Sequence, residues 1–177
     1  MITVRTAHTA DVPADVLAAA GKLVADAFAD DFNEQDWEHS LGGVHATAWV
    51  GGELVGHGSV VQRRMLHGGR ALRCGYVEGV AVRADHRRRG CASALMAELE
   101  RVIRGGYDLG ALAATEQAVP LYAGRGWRRW RGTTWTLTPD GRARTADEDD
   151  AVYVWPLAVP LDLTGELVCD YRDGDAW

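Results

Sequence analysis

Residues 76–95 constrain the fold more than any other part of this 177-residue chain, and they read YVEGVAVRADHRRRGCASAL. The apolar start predicts a β-strand, Arg87–Gly90 predicts a tight basic turn, and Cys91 opens a helix. Backbone N–H groups at such a helix N-terminus bind phosphate or pyrophosphate. Because the strand also carries the carboxylate Glu78, the stretch indicates an enzyme that uses a nucleotide-like cofactor. Arg87–Gly90 is called the basic turn below.

Charge is segregated along the chain, although its net value is only −6. More than half of the acidic residues fall in three segments, and the basic residues gather at the basic turn and over 125–131. The acidic segments hold Asp26, Asp30, Asp31, Glu34, Asp36 and Glu38; Asp147, Glu148, Asp149 and Asp150; and Glu166, Asp170, Asp173 and Asp175. This pattern predicts one region for an anionic ligand and another for a cationic one, with solvated loops as the alternative for each acidic segment. Nucleic-acid binding is disfavoured, because the basic patch is small and the chain is acidic.

Other sequence features narrow the class of protein. No apolar run is long enough to span a membrane, and Met1–Ala7 lacks the layout of a signal peptide. Cys74, Cys91 and Cys169 form an odd set without C-x-x-C spacing, which favours free thiols in a reducing cytoplasm. No His/Cys cluster has zinc-ligand spacing, so we expect no metal.

Hydrophobic periodicity predicts an α+β fold in a single domain over residues 1–177, with a mixed, mostly antiparallel sheet flanked by helices on both faces. Strands are predicted over residues 3–8, 45–50, 54–66, 71–83, 109–113, 127–137 and 152–163. The second, third and fourth of these are predicted to form an antiparallel meander, with turns at Gly51–Gly52 and Gly68–Gly69. A first helix is predicted to start at the Asp11–Pro13 signal and to run to Phe28, and further helices are predicted over 34–41, 92–103 and 115–124, with a polar loop over 141–150. The strand–helix–strand order around the basic turn predicts one parallel strand pair with a right-handed crossover.

Two motifs resemble the GCN5-related N-acetyltransferase (GNAT) superfamily. Its pyrophosphate motif, Gln/Arg-x-x-Gly-x-Gly/Ala, matches Arg87–Ala92 directly after a strand. The stretch Leu121–Trp127 resembles the second signature, a tyrosine followed by a glycine–aromatic step. The resemblance implies the GNAT fold and acetyl-CoA as co-substrate.

Further blocks resemble one family within it, the aminoglycoside 2′-N-acetyltransferases of the mycobacterial and actinobacterial branch. These blocks lie at residues 30–32, 36–39, 41–43, 73–83, 169–170 and 174–177. The resemblance implies a cytoplasmic homodimer that acetylates the 2′-amine of aminoglycoside antibiotics and so confers resistance.

The superfamily resemblance also implies how acetyl-CoA is held. Backbone N–H groups of the basic turn bind the pyrophosphate, the preceding strand pairs with the pantetheine arm, and an N–H near Val80 polarises the thioester carbonyl. The predicted cofactor-binding residues are Val80, Ala81, Val82, Arg87, Arg88, Arg89, Gly90, Cys91 and Ala92.

Two side chains are candidates for the proton transfers. Glu78 is the predicted base for the attacking amine, with a surface carboxylate or an arginine partner as the alternative. Tyr122 is the predicted donor to the departing thiolate, with a buried aromatic residue as the alternative. A covalent acyl-enzyme at Cys91 is disfavoured, because no histidine is placed by sequence to activate that thiol.

The family resemblance assigns the acceptor to a carboxylate-lined cleft. The substrate contacts it implies are Asp31, Asp36, Glu78, Gly79, Glu148, Asp175 and Trp177 with its terminal carboxylate. Glu148 stands where relatives carry aspartate, and Ala113 where they carry a drug-contacting serine. Alternatives are the same fold acting on a polyamine, a cell-wall precursor amine or a protein N-terminus, and a non-catalytic acyl-CoA sensor.

Overall fold

The structure, a computed structural model, describes residues 1–29 and 32–177. Contacts between Cα atoms divide the chain into two compact units. Unit 1 comprises Met1–Val61 and Val77–Val102, and unit 2 comprises Gln62–Tyr76 and Ile103–Trp177. The single domain over residues 1–177 stays a prediction. The predicted substrate contact Asp31 lies outside the described residues.

The helices and strands agree with most of the predicted boundaries to within a few residues. The helices are α1 Ala14–Phe28, α2 Glu34–His39, α3 Cys91–Gly106 and α4 Val119–Gly124. The strands are β1 Ile2–His8, β2 Val44–Val50, β3 Glu53–His67, β4 Arg70–Val82, β5 Leu109–Ala113, β6 Arg128–Arg129, β7 Thr134–Thr138, β8 Gly141–Arg144, β9 Val152–Pro156 and β10 Leu167–Cys169.

In unit 1, antiparallel strands form the predicted meander. β1 pairs with β2, β2 pairs with β3, and β4 lies next to β3. The β2–β3 hairpin turns at Gly51 and Gly52, whose φ angles are +60° and +87°. Two left-handed residues in a two-residue loop match the right-handed twist of the flanking strands, which is why glycines stand there.

Helices cover both faces of this sheet, as predicted. Gly56 and Gly58 of β3 face α3, because a Cβ added to them would lie 3.1 and 3.0 Å from Leu95 and Leu99. His57 points to the opposite face by strand alternation, and the ring of Trp37 from α2 lies 5.3 Å from its ring. The sequence of β3 therefore serves two interfaces at once.

In unit 2 the strand order is β6-β9-β5-β4-β3-β10-β7-β8. β4 and β5 are parallel, which confirms the predicted parallel pair, and β10 is parallel to β7. The β10–β3, β5–β9, β6–β9 and β7–β8 pairs are antiparallel. The mixed, mostly antiparallel character of the α+β fold is thus as predicted.

The predicted strands after residue 126 were wrong in detail. A continuous strand over 127–137 is broken between β6 and β7, and the strand expected over 152–163 ends at Pro156. The backbone leaves the sheet because Arg131 and Gly132 donate N–H bonds to Leu163, and the indole of buried Trp130 donates to Gly165. The expected loop over 141–150 contains β8, and β10 was missed.

Within the described residues, no helix combines the length and apolarity needed to cross a membrane. In the same part of the chain, no group of three or more His, Cys, Asp or Glu side chains could hold a metal ion.

Candidate functional site

The basic turn joins β4 to α3 and is exposed along its length. Arg88 and Gly90 have φ angles of +58° and +85°. Left-handed residues of this kind alternate with ordinary ones in the backbone concavities that bind anions. At Gly90 a Cβ would meet no atom within 4 Å, so the positive φ, and not crowding, favours glycine there.

Helix α3 begins immediately after this turn. The Gly90 carbonyl accepts the N–H of Ala94 at 3.0 Å, which makes Gly90 the N-cap. Cys91 is buried and starts the helix, and Ala92 is half-buried. First-turn N–H groups point out of a helix N-terminus, where the macrodipole is positive. The predicted pyrophosphate-binding residues are therefore brought together on one backbone feature.

A cavity of about 350 Å³ adjoins the turn within unit 1. Arg83 and Arg87 line it together with apolar residues of α1 and the end of β4. Arg83 is held by ion pairs to Asp85 at 2.8 Å and to Glu53 at 3.0 Å, whereas Arg87 donates from Nε to the Val82 carbonyl at 3.1 Å. The ion-paired residues Lys22 and Asp26 of α1 also line the cavity, so its edge carries both signs of charge.

Glu78, Gly79 and Val80 lie half-buried near the end of β4. Gly79 has a φ of +55°, and a Cβ there would lie 2.9 Å from the Ser40 hydroxyl. The positive φ favours glycine here, and a larger residue would also have to displace the Ser40 hydroxyl. The Nδ1 atom of His57 lies 2.9 Å from the carbonyl oxygen of Gly79, and this contact was not predicted from the sequence.

Tyr122 is buried in unit 2 on the short helix α4, and its ring lies 6.1 Å from that of Trp127. Burial raises the pKa of its phenol to about 12. The Tyr122 carbonyl accepts the backbone N–H groups of Arg125 and Trp127 at 3.0 and 3.1 Å, which closes the predicted second signature into a turn. The hydroxyl therefore remains protonated at neutral pH and can donate a hydrogen bond.

The acidic segment at 147–150 is divided by its contacts. The carboxylate of Asp149 accepts hydrogen bonds from the Arg144 guanidinium and from the Thr134 N–H. These bonds lower the pKa of the carboxyl to about 2. Asp150 forms an ion pair with Arg129. These two acids stabilise unit 2, so sequence clustering overstated the charge available to a ligand.

Glu148 behaves differently from its two neighbours. It is half-buried, and burial together with the charges of Asp175 and Asp147 raises its pKa. Asp147, Glu148 and Asp175 are called the acidic cluster below. A raised carboxyl pKa beside like charges indicates a place where an arriving cation would be stabilised.

The C-terminal residues are held in unit 2 by an arginine that sequence reasoning missed. Arg63 is 4% exposed and donates to the Asp170 carboxylate at 2.8 Å and to the Ala176 carbonyl at 2.6 Å. The indole of buried Trp177 donates to the Thr145 hydroxyl at 2.9 Å. The burial of Arg63 could have been predicted from the alternation of inward and outward side chains along β3, because Arg63 falls in phase with the buried residues Val61 and Met65.

Two other positions named from the sequence are partly explained. Asp36 accepts the Asn33 N–H at 2.8 Å within a capping box at the start of α2, so it stabilises that helix. Ala113 is exposed at the end of β5. Contacts of Asp36, Glu78, Gly79, Glu148, Asp175 and Trp177 with a substrate stay predictions.

All three cysteines are free thiols and buried. Burial raises the pKa of the Cys74 and Cys169 thiols, which leaves them protonated and unreactive at neutral pH. Cys91 lies at the first position of α3 with 2% of its surface exposed.

Comparison with known proteins places these features in a family. Residues 10–130 match the family described as acetyltransferase (GNAT) domain. The chain is 48% identical, over 99% of its length and 92% of the relative, to aminoglycoside 2′-N-acetyltransferase of Mycolicibacterium fortuitum.

Solved structures share the fold at lower identity. The GNAT family N-acetyltransferase YhbS of Escherichia coli, crystallised with CoA, has a TM-score of 0.66 at 19% identity and covers 97% of this chain and 90% of its own. ElaA of Escherichia coli has a TM-score of 0.60 at 15% identity, covering 88% of this chain and 99% of its own. The fold is therefore that of the N-acetyltransferases.

Proposed function

This chain belongs to the GNAT acetyltransferase family, and on that premise we propose that it transfers the acetyl group of acetyl-CoA to the 2′-amine of an aminoglycoside. The observation that carries the proposal is the 48% identity, across nearly the full length of both chains, to an aminoglycoside 2′-N-acetyltransferase. By resemblance to that family, the proposed transfer is direct, with both substrates bound together.

Acetyl-CoA is the proposed ligand of unit 1. The backbone N–H groups of the basic turn and of Cys91 and Ala92 would hold its pyrophosphate, with the side chains of Arg87, Arg88 and Arg89 adding charge. The strand residues Val80–Val82 would pair with the pantetheine arm, as an added strand does. Metal ions have no part in this proposal.

At the reacting thioester, the Val80 N–H would donate to the acetyl oxygen. The neutral amine attacks the carbonyl carbon, a C–N bond forms, and the oxygen carries negative charge until the C–S bond breaks. Glu78 takes the proton that the amine loses, directly or through water. Its place beside Gly79 and Val80 in the chain makes it the carboxylate adjacent to the proposed oxyanion donor.

Tyr122 is the proposed donor to the departing CoA sulfur. Its phenol has a pKa of about 12, whereas an alkyl thiol ionises near 8.5, so complete proton transfer is uphill. Donation of a hydrogen bond still stabilises the thiolate while it leaves. The free thiol then forms by taking a proton from water, and Glu78 gives up the proton it accepted to the hydroxide that remains.

The acceptor is a polycation, and the acidic cluster supports that part of the proposal. The charge of Asp175 raises the pKa of Glu148, and an ammonium group bound there would relieve this repulsion. The indole N–H of Trp177 donates to the Thr145 hydroxyl, so a polar contact from this residue to the acceptor would come from its backbone. Asp31 and Asp36 are proposed as further acidic contacts.

The enzyme is further proposed to be a cytoplasmic homodimer whose activity confers resistance.

Thiol release from acetyl-CoA tests the proposal. Tobramycin and gentamicin carry a 2′-amine, and amikacin carries a 2′-hydroxyl as the matched negative control. We expect release with the first two drugs and none above background with amikacin. Release with a polyamine or a peptide N-terminus but not with tobramycin would assign the enzyme to another amine, and no release with any amine would indicate a CoA-binding sensor.

A further inference from the structure

A buried chain of hydrogen bonds in unit 1 ends at the peptide group that the proposed mechanism uses. It is called the histidine chain below and consists of Thr9, His45, His57 and the Gly79 carbonyl. We propose that this chain polarises and orients the Gly79–Val80 peptide, so that His57 and His45 are positioning residues for the oxyanion-binding N–H of Val80. The proposal rests on the proposed role of that N–H.

The contacts of the chain are short and continuous. The Thr9 hydroxyl lies 2.8 Å from His45 Nε2, His45 Nδ1 lies 2.9 Å from His57 Nε2, and His57 Nδ1 lies 2.9 Å from the Gly79 oxygen. The Gly42 N–H donates to the Thr9 hydroxyl at 2.9 Å. These groups join three segments of unit 1 that are distant in sequence.

The direction of every bond follows from its last acceptor. A carbonyl oxygen only accepts, so His57 Nδ1 must carry a proton. If His57 is neutral, its Nε2 accepts and His45 Nδ1 must donate. His45 Nε2 then accepts in turn from the Thr9 hydroxyl, which lies closer to this nitrogen, at 2.8 Å, than to its other acceptor, the Gly43 carbonyl, at 3.2 Å. All the bonds therefore point the same way, toward Gly79.

Burial keeps both imidazoles neutral. His45 and His57 are 1% and 0% exposed, and burial lowers the pKa of each to about 4, helped by the charge of His8 near His45. The ring of Trp37 covers both, at 6.3 and 5.3 Å. In such surroundings hydrogen bonds polarise one another and are stronger than in water.

The carbonyl of Gly79 and the N–H of Val80 belong to one peptide group. A bond donated to that oxygen withdraws electron density through the amide and makes the N–H a better donor. The bond also fixes the plane of the peptide, at a residue whose φ of +55° takes it out of regular strand geometry. A preorganised donor is what a developing oxyanion requires.

A purely structural role would serve the β3–β4 contact equally well, so the test needs a spectroscopic measurement. The acetyl carbonyl of bound ¹³C-labelled acetyl-CoA absorbs at lower infrared frequency when it accepts a stronger hydrogen bond. The binary complex contains no amine, so this measurement is independent of the acceptor. If the parent enzyme fails to acetylate tobramycin, the proposed function is wrong. The infrared shift measured in the His57 variants tests the histidine chain separately.

The matched variants are His57→Asn and His57→Leu, which have the same shape and differ in the N–H that can replace Nδ1. We expect His57→Leu to lose at least half of the carbonyl shift and about tenfold in kcat, a fraction of the loss that follows removal of a whole oxyanion donor. The Kd of acetyl-CoA should stay within twofold. His57→Asn should restore most of the shift.

An unchanged shift and kcat in folded His57→Leu would overturn the proposal, as would equal impairment of both variants. If the leucine variant fails to fold, ¹⁵N NMR of the parent enzyme decides. We expect the proton on Nδ1 of both histidines, against the usual preference of free imidazole. A proton on Nε2 of His57 would break the chain and contradict the proposal.

Discussion

The basic turn and the acidic cluster are proposed to bind opposite charges, and they differ in the groups that they offer. The turn offers backbone N–H groups whose direction is set by left-handed residues Arg88 and Gly90 and by the start of α3. The cluster offers carboxylate side chains, and Arg63 helps to place one of them, Asp175, by donating to the neighbouring Ala176 carbonyl. A backbone site tolerates changes of side chain, whereas a side-chain site loses function with a single carboxylate.

The largest expected effect is on the rate of acetyl transfer, with little change in the binding of acetyl-CoA. Glu78→Gln should lower kcat/KM about 10²–10⁴-fold, because an amide cannot accept the proton of the attacking amine. Acetyl-CoA affinity should change less than twofold by calorimetry. Glu116→Gln, an exposed residue in the turn before α4, is the control. A Glu78→Gln enzyme that turns over at the parent rate would remove Glu78 from the mechanism.

The next effect tests whether the turn depends on its backbone. Gly90→Ala should weaken acetyl-CoA binding about tenfold, because alanine disfavours a φ of +85° by about 1 kcal/mol and the turn must shift to relieve it. Gly51→Ala imposes a comparable penalty at the β2–β3 hairpin, at a φ of +60°. The two variants should lose similar thermal stability, but Gly51→Ala should bind acetyl-CoA normally. Equal affinities in both would contradict a backbone-based site.

The smallest effect sharpens the description of the acidic cluster. Because the pKa of Glu148 is raised on folding, its contribution to stability is present below about pH 4.5 and is lost as pH rises through the raised value. Glu148→Gln should therefore raise the Tm of the ligand-free protein near pH 7 by about 1–2 °C and have no such effect below pH 4. Asp140→Asn, in the exposed β7–β8 turn, should leave the Tm unchanged at both pH values. A lower Tm at pH 7 would show that Glu148 is already paired.

The difference between the two regions also explains what could be predicted from sequence. The basic turn was predictable because strand, glycine, turn and helix are contiguous, and each has its own sequence preference. The meander was predictable for the same reason, with Gly51 and Gly52 marking its turn. Boundaries after residue 126 were missed because Trp130 and Gly165 draw the backbone away from the sheet through contacts between distant segments.

The acidic cluster was predictable only by family resemblance. Charge runs alone do not reveal that Asp149 and Asp150 are paired with arginines while Glu148 lies beside Asp175. The histidine chain was invisible for a related reason. His45 and His57 lie on different strands, and only the register of β2 on β3 brings them together.

We propose that the basic turn binds acetyl-CoA and that the acidic cluster binds the aminoglycoside. Calorimetric titration of Asp175→Asn with tobramycin and with acetyl-CoA tests this assignment most directly. One charged hydrogen bond contributes about 1.5–3 kcal/mol, so we expect tobramycin to bind about 10–100-fold more weakly. Acetyl-CoA should bind with an unchanged Kd, the reverse of the pattern expected for Gly90→Ala. Unchanged tobramycin affinity, or equal losses for both ligands, would contradict the account.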